Sequence, residues 1–287
     1  MKILHVVPGL NEGCNGIAVA AKLFAGQQFK LGNEVDFVET RDFISSSFTL
    51  DFRLFDEIWV HSMWLPITIL ACLKALRTDK KLVRMTHGNL DPVRLRYHGW
   101  KKRLAAPVER WLLRKAEKVI ATCEAERQWI LAFEPRVKAV EVVDLKRFFR
   151  LDETKAKSEV EQRNLHVLYL GRLHPLKGVR YLQQAVAELN ASSSTSTSFL
   201  HLRTVSDHFG AQLERDWEWC DVLCLPTLSE NFGLVIAEAL ERGKTVITTD
   251  GAPAWDCGGE RLIYIRGFRD GSDRERVESL KRALCSV

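Results

Sequence analysis

Short apolar runs recur along the whole chain, and most are separated by stretches with helical spacing of apolar residues. Residues 2–7, 34–39, 57–61, 81–86, 118–122 and 137–143 read as strands in the first half. Residues 165–170, 199–204, 221–225, 245–249 and 262–265 read as strands in the second. Helices fall between most of them. One spans 17–31 and stops at Gly32, the residue type that closes helices in a left-handed conformation. Another spans 66–76 with proline in its first turn. Val179, Leu182, Val186 and Leu189 form a helical stripe. Such alternation predicts right-handed crossovers and parallel sheets covered on both faces. The pattern breaks over 146–164, which is charged and poorly periodic, and then restarts. The expected fold class is α/β, with two doubly wound domains, 1–149 and 150–287, facing a central cleft. Ligands of such sheets bind at the carboxyl ends of the strands. The Ser/Thr run at 191–198 reads as a mobile loop.

With 46% hydrophobic and 28% charged residues, the 287-residue chain has the composition of a folded soluble protein. No apolar run is long enough to span a bilayer, and the first residues read as a strand rather than a signal peptide. Seven cysteines without regular spacing suggest free thiols in a reducing cytoplasm. Cys220 and Cys224 lack a matching His or Cys pair and read as packing residues. The net charge of +5 is uneven. Between Arg94 and Lys118 nine Lys or Arg face only Glu109 and Glu117, so the rest of the chain is slightly acidic.

The stretch from Leu225 to Leu240 carries the most chemistry. A strand ends, a turn bears Glu230, and a helix beginning near Leu234 bears Glu238. A helix start presents unpaired N–H groups and positive partial charge, which suits a phosphate. Carboxylates at the turn and in the helix can grip flanking hydroxyls, and a nucleotide sugar fits that pattern. Taken alone, the stretch equally suits ordinary strand–turn–helix construction with Ser229 or Asn231 as the cap. A second loop, from Gly171 to Gly178, sets Arg172 and Lys177 at another strand end, where they can hold a leaving diphosphate. In the first half, His87 follows a strand and can meet a sugar hydroxyl, whereas His61 suits a core role equally well. Gly13 and Gly16 permit tight turns after the first strand. Neither a dinucleotide fingerprint nor a P-loop is present. No Asp-x-Asp pair offers a metal site, so Arg172, Lys177 and the helix start must supply the positive charge.

With these residues in place, the chain resembles the family 4 retaining glycosyltransferases of the GT-B fold, which has two Rossmann-like domains. The resemblance is carried by Gly171-Arg172-Leu173 with Lys177-Gly178, and by Glu230-Asn231-Phe232-Gly233-Leu234 with Glu238-Ala239. Segments around His61-Ser62-Met63-Trp64 and from His87 to Arg103 are similar to bacterial members that build lipopolysaccharide or surface polysaccharide. The resemblance implies a metal-independent, retaining hexosyltransferase that uses a UDP- or GDP-linked sugar and needs no cofactor. It implies a glycan or lipid-linked acceptor. Attack from the same face would leave the departing phosphate to take the proton. Arg172 and Lys177 would bind the diphosphate, together with backbone at Gly16, Leu234 and Val235. Glu230, Asn231, Phe232 and Gly233 would hold the sugar, with Glu230 and His87 at the reacting centre. Glu238 would hold the ribose. The stretch from Gly171 to Glu230 is shorter than the family's usual length, and a Gly-Asp-Gly turn that helps hold the base is missing.

The basic window gives the first domain an expected membrane-facing role. Trp100, Lys101, Lys102 and Arg103 open a helical stretch that mixes cations with apolar residues, suited to the anionic inner face of the cell membrane. The alternative packs Leu104, Val108, Trp111 and Leu112 into the core. Nucleic acid is not an expected partner, since no recognition module accompanies the charge. Two rival functions stay open: a non-catalytic binding protein of the same fold, and a nucleotide-sugar-modifying enzyme such as an epimerase.

Overall fold

The computed structural model of the chain describes residues 1–10, 16–40, 50–97, 99–151, 164–192, 199–256 and 259–287. Two compact units divide it, Met1–Leu145 and Lys146–Val287. Most of the linker-like stretch, the Ser/Thr run beyond Ser192, and Gly13 lie outside the described residues.

The first unit is built on a parallel sheet of six strands: β1 (Lys2–Val7), β2 (Glu34–Glu39), β3 (Glu57–His61), β4 (Lys81–Met85), β5 (Lys118–Ala121) and β6 (Val140–Val142). Their order is β2-β1-β3-β4-β5-β6. Helices α1 (Gly16–Lys30), α2 (Pro66–Arg77), α3 (Pro92–Arg96), α4 (Gly99–Lys115) and α5 (Glu124–Phe133) connect them. Gly32, at φ +81°, closes α1 as the sequence predicts. Leu65 is extended ahead of Pro66, the conformation that a following proline favours. The apolar faces of β1, β3 and β4 pack Leu4, Val6, Ile58, Val60 and Leu82 against Ala71, Cys72 and Ala75 of α2 and Leu112 and Leu113 of α4. Each fully buried large side chain there contributes roughly 1.5–3 kcal/mol relative to exposure.

A buried ion pair crosses this core. Arg84 of β4 and Glu109 of α4 have fully buried side chains, with Nη2 and Oε2 3.0 Å apart. Arg84 also donates to the Ser62 carbonyl (3.2 Å) and to Cys72 Sγ (2.8 Å). Glu109 Oε1 accepts from the Trp64 N–H at 2.8 Å. Charges this deep persist only when paired and hydrogen-bonded. The pair pins α4 and the loop after β3 to the sheet. Glu109 is thus spent inside the protein and does not temper the basic surface.

In α4 the buried face carries Glu109, Leu112 and Leu113. Trp100, Leu104, Val108 and Trp111, spaced along the opposite side, are all exposed. The core-packing alternative therefore holds for Leu112 and fails for Leu104, Val108 and Trp111. The helix has room for one buried stripe, and Glu109 with its neighbours occupies it.

The second unit has a parallel sheet of five strands: β7 (Asn164–Leu170), β8 (Phe199–Val205), β9 (Val222–Leu225), β10 (Thr245–Thr249) and β11 (Leu262–Ile265). Their order is β11-β10-β9-β7-β8. Its helices are α6 (Val179–Ser192), α7 (Ala211–Trp219), α8 (Leu234–Glu241) and α9 (Asp273–Cys285). Ala191 and Ser192 belong to α6, not to the loop expected there; Ser192 Oγ bonds back to the Leu189 carbonyl at 3.0 Å and extends the last turn. A Ser272–Glu275 capping box starts α9, and Tyr181 of α6 donates to Asp273 at 2.6 Å. Cys220 and Cys224 are buried free thiols, as packing residues should be. Among the described residues no helix is long and apolar enough to cross a membrane.

Replacing Arg84 with Leu should cost about 3–5 kcal/mol, because it strands the Glu109 carboxylate in the core. Adding Glu109→Leu should recover part of that loss. Urea unfolding of the single and double variants measures both.

Candidate functional site

In the second sheet β7 has β8 on one side and β9 on the other, so the crossovers leaving β7 and β9 diverge. A crevice at the carboxyl ends opens at such a switch point. Three loops meet there: 171–178 after β7, 226–233 after β9, and 250–252 after β10. Two glycines permit the approach. Gly178 sits at φ +65°, and a Cβ there would strike the Pro226 carbonyl oxygen. A Cβ at Gly251 would strike the Thr227 carbonyl oxygen. Backbone bonds then lock the loops, from Leu228 N–H to the Leu176 carbonyl and from Glu230 N–H to the Gly251 carbonyl, both at 2.7 Å.

This packing joins the two motifs that stand 53 residues apart in the chain. Lys177 Nζ donates to Glu230 Oε2 in an ion pair whose side chains are only 11% and 18% exposed. The sequence reading assigns Lys177 to a diphosphate and Glu230 to a sugar; in the structure each is the other's counterion. Arg172 is exposed on the same loop, and its carbonyl accepts from the Tyr169 hydroxyl at 2.8 Å.

The start of α8 is bare. Gly233, at φ +74°, forms the N-cap with no side-chain hydrogen bond, so neither Ser229 nor Asn231 caps the helix. A Cβ on Gly233 would lie 2.9 Å from Ile236 Cδ1, so glycine suits both the conformation and the space. The N–H groups of Leu234 and Val235 bond to no described protein group. Asn231 Oδ1 is buried without a partner among the described residues. Phe232 is different: its ring is buried beside Phe149 and Trp255, and its carbonyl accepts from Trp255 Nε1. Only its N–H is left to meet a ligand. Glu238 lies in the second turn of α8, and burial pushes its carboxyl pKa above the ordinary range, with Arg242 opposing. A bare helix start, a partly buried Lys–Glu pair and a partly desolvated carboxylate can together hold a diphosphate with hydroxyls on either side.

The carboxyl edge of the first sheet is also unusual. Four non-glycine residues among those described have positive φ, and three of them, Ser62, Trp64 and His87, lie just past β3 and β4. Backbone of that kind costs free energy and collects at functional sites. Glu126 of α5 secures the His87 loop: its Oε1 accepts from Thr86 Oγ1 and the Gly88 N–H, both at 2.6 Å. His87 is buried, and burial lowers its pKa to about 4, so the ring is neutral. His61 is fully buried, in keeping with the core role left open for it. Gly16 opens α1 and is exposed. Sequence reasoning misses Gly251, Glu126, His5 and Gln28. A histidine inside the apolar run of β1 is the one available signal. The others take part only through contacts between distant segments.

Removing the Glu238 charge should stabilise the ligand-free protein. An acid whose folded pKa is raised loses stability as pH climbs from the unfolded to the folded value. Glu238→Gln should therefore melt above the wild type at pH 7, and the gap should vanish once pH falls below the ordinary glutamate range. Melting curves across pH check this, and an unchanged gap would point to another cause.

Comparison with known proteins places the fold. A family model described as Glycosyl transferase 4-like domain matches residues 46–145. A search of the curated proteins finds no match. Among solved structures, the chain is similar to a sucrose-phosphate synthase from Thermosynechococcus elongatus (TM-score 0.68, 13% identity, covering 99% of this chain and 90% of that one). It is also similar to the Anabaena protein HepE in complex with UDP (TM-score 0.59, 15% identity, 100% and 95% covered). A third is the lipopolysaccharide outer core galactosyltransferase WaaB (TM-score 0.55, 14% identity, 100% and 91% covered). The chain has the GT-B fold of these structures, an α/β fold of two Rossmann-like domains.

Proposed function

We propose that the protein is a glycosyltransferase that moves a hexose from a nucleotide-diphosphate sugar to a glycan or lipid-linked acceptor, with retention of configuration and without a bound metal. The observation that carries this reading is the bare N-terminus of α8 set beside the partly buried Lys177–Glu230 pair. The similarity to HepE with UDP and to the galactosyltransferase WaaB supports the same donor chemistry.

As the glycosidic bond breaks, negative charge grows on the leaving diphosphate. The N–H groups of Leu234 and Val235 and the cations Lys177 and Arg172 stabilise it best in the transition state. A bound diphosphate competes with Glu230 for Lys177 and releases the Glu230 carboxylate toward the sugar hydroxyls. Until then the pair holds both side chains in place without an unpaired buried charge. Asn231 Oδ1 takes a sugar hydroxyl, and Glu238 takes the ribose hydroxyls, whose hydrogen bonds offset its desolvation. His87 supplies a ring nitrogen suited to a sugar hydroxyl at the edge of the first sheet.

The exposed face of α4 suits an acceptor held at an anionic membrane. Trp100, Leu104, Val108 and Trp111 form its apolar stripe, with Lys101 and Arg103 beside it. Lys102 serves less well, since its ammonium donates to the Arg94 carbonyl and is partly desolvated. The location in this reading is the cytoplasmic face of the cell membrane, in lipopolysaccharide or surface-polysaccharide synthesis.

Two experiments test the reading. Mass spectrometry of a nucleotide-sugar donor screen should find one sugar consumed only when an acceptor is present, and Glu230→Gln should lower kcat/KM by about 100-fold or more with the circular dichroism spectrum unchanged. Wild-type turnover in that variant removes its proposed role, and release of an altered free donor without acceptor favours an epimerase. Separately, Trp100→Glu with Lys101→Ala and Arg103→Ala should abolish binding to phosphatidylglycerol vesicles at low salt, where electrostatic attraction is strongest. Binding that survives all three changes assigns the membrane contact elsewhere.

A further inference from the structure

A row of hydrogen-bonded side chains runs through the first unit and ends at His87. Gln28 Oε1 of α1 lies 2.8 Å from His5 Nε2. His5 Nδ1 lies 2.9 Å from His61 Nε2, and His61 Nδ1 lies 2.9 Å from His87 Nε2. The sheet register produces the row. His5 of β1 is level with Trp59 of β3, and His61 is two residues farther along. His61 is level with Met85 of β4, and His87 is again two residues farther. Side chains two apart share a face of a strand. Each histidine thus stands one strand over and one step nearer the carboxyl edge. All four side chains are buried. Their nitrogens pair in succession and do not converge on one point, and no metal-holding cluster of such residues is found among those described.

Burial holds all three rings neutral, lowering His5 and His87 to about 4 and His61 well below the ordinary histidine value. A neutral imidazole has one N–H donor and one bare acceptor nitrogen. In such a row the rings cannot choose independently. If His61 donates through Nε2, its Nδ1 must accept from His87, and His5 must donate through its own Nε2. That end meets Gln28, whose amide oxygen faces it and whose amide nitrogen is buried without a partner among the described residues. An acceptor at this end therefore sets every ring to the Nε2–H form. At the other end it leaves His87 Nδ1 bare, with no partner among the described residues.

We propose that Gln28, His5 and His61 are positioning residues that fix the tautomer of His87, so that His87 presents Nδ1 as an acceptor to a ligand hydroxyl at the carboxyl edge of the first sheet. The identity of that hydroxyl as a sugar's rests on the function proposed above; the relay itself does not. If the amide of Gln28 were reversed, all three rings would switch together and His87 would present a donor instead. The device would then select for a different partner atom on the ligand.

Long-range proton–nitrogen correlation spectra of the full chain, labelled with nitrogen-15 histidine, read the tautomers without any ligand. Ring signals are assigned by replacing each histidine in turn. At pH 7 the expected result is a protonated Nε2 and an unprotonated Nδ1 on His5, His61 and His87. A proton on Nδ1 of His87, or charged rings at that pH, overturns the proposal. In Gln28→Met, which keeps the volume but removes the acceptor, His87 should become a mixture of tautomers. A His87 still purely Nε2–H in that variant also overturns it. The wild-type spectrum decides the first point even if the variant fails to fold. Should the tautomers come out as expected while no nucleotide sugar is ever turned over, the functional reading fails and the relay stands.

Discussion

The close approach of backbone to backbone at Gly178 and Gly251 is the constraint on which the second unit's site depends. A side chain at either position would occupy the space of a carbonyl oxygen on the loop after β9. With both absent, three strand-end loops share hydrogen bonds, and Lys177 falls against Glu230. The same packing carries the chain into Gly233, whose left-handed conformation starts α8 without a side-chain cap. An uncapped helix start inside a packed loop cluster leaves donors that only a ligand or water can satisfy. The unpaired donors at the start of α8 are thus a by-product of how tightly its loops are packed.

The first unit meets a different problem, since its interior contains several ionisable groups. Arg84, Glu109, Glu126, His5, His61 and His87 are all buried. Each is affordable because it is paired: the charges with each other or with backbone N–H groups, the histidines with one another as neutral rings. These pairs fall on the carboxyl half of the sheet, where Ser62, Trp64 and His87 hold strained backbone. Glu109 ties the Trp64 loop and Glu126 ties the His87 loop. Buried polar networks of this kind hold a surface in one arrangement, which a site facing a ligand requires.

The two faces of α4 serve different ends. Its inner face supplies Glu109 to the core pair, and its outer face leaves four large apolar side chains exposed among cations. A helix anchored so firmly on one side can present an apolar stripe on the other without losing its place in the fold.

How much of this was legible in the sequence follows from the range of each interaction. The strands were readable, because apolar runs and helical periods are local properties; β4, β5 and β9 each came out one residue shorter, and β6 shrank most, to three residues at a sheet edge. Glu230, Lys177 and Glu238 stood out because they lie in local strand–loop–helix patterns. Their pairing did not, since Lys177 and Glu230 meet only through the sheet order and two glycines whose importance is steric. The histidine row was invisible for the same reason: His5, His61 and His87 look like three unrelated residues until parallel register aligns them one strand apart. The sequence by itself determined two α/β units and the residue types at their carboxyl edges, because periodicity and turn chemistry act over a few neighbours. Tertiary structure alone decided which of those residues neutralise each other, which are buried, and which face outward, because charge pairing and desolvation depend on segments that only folding brings together.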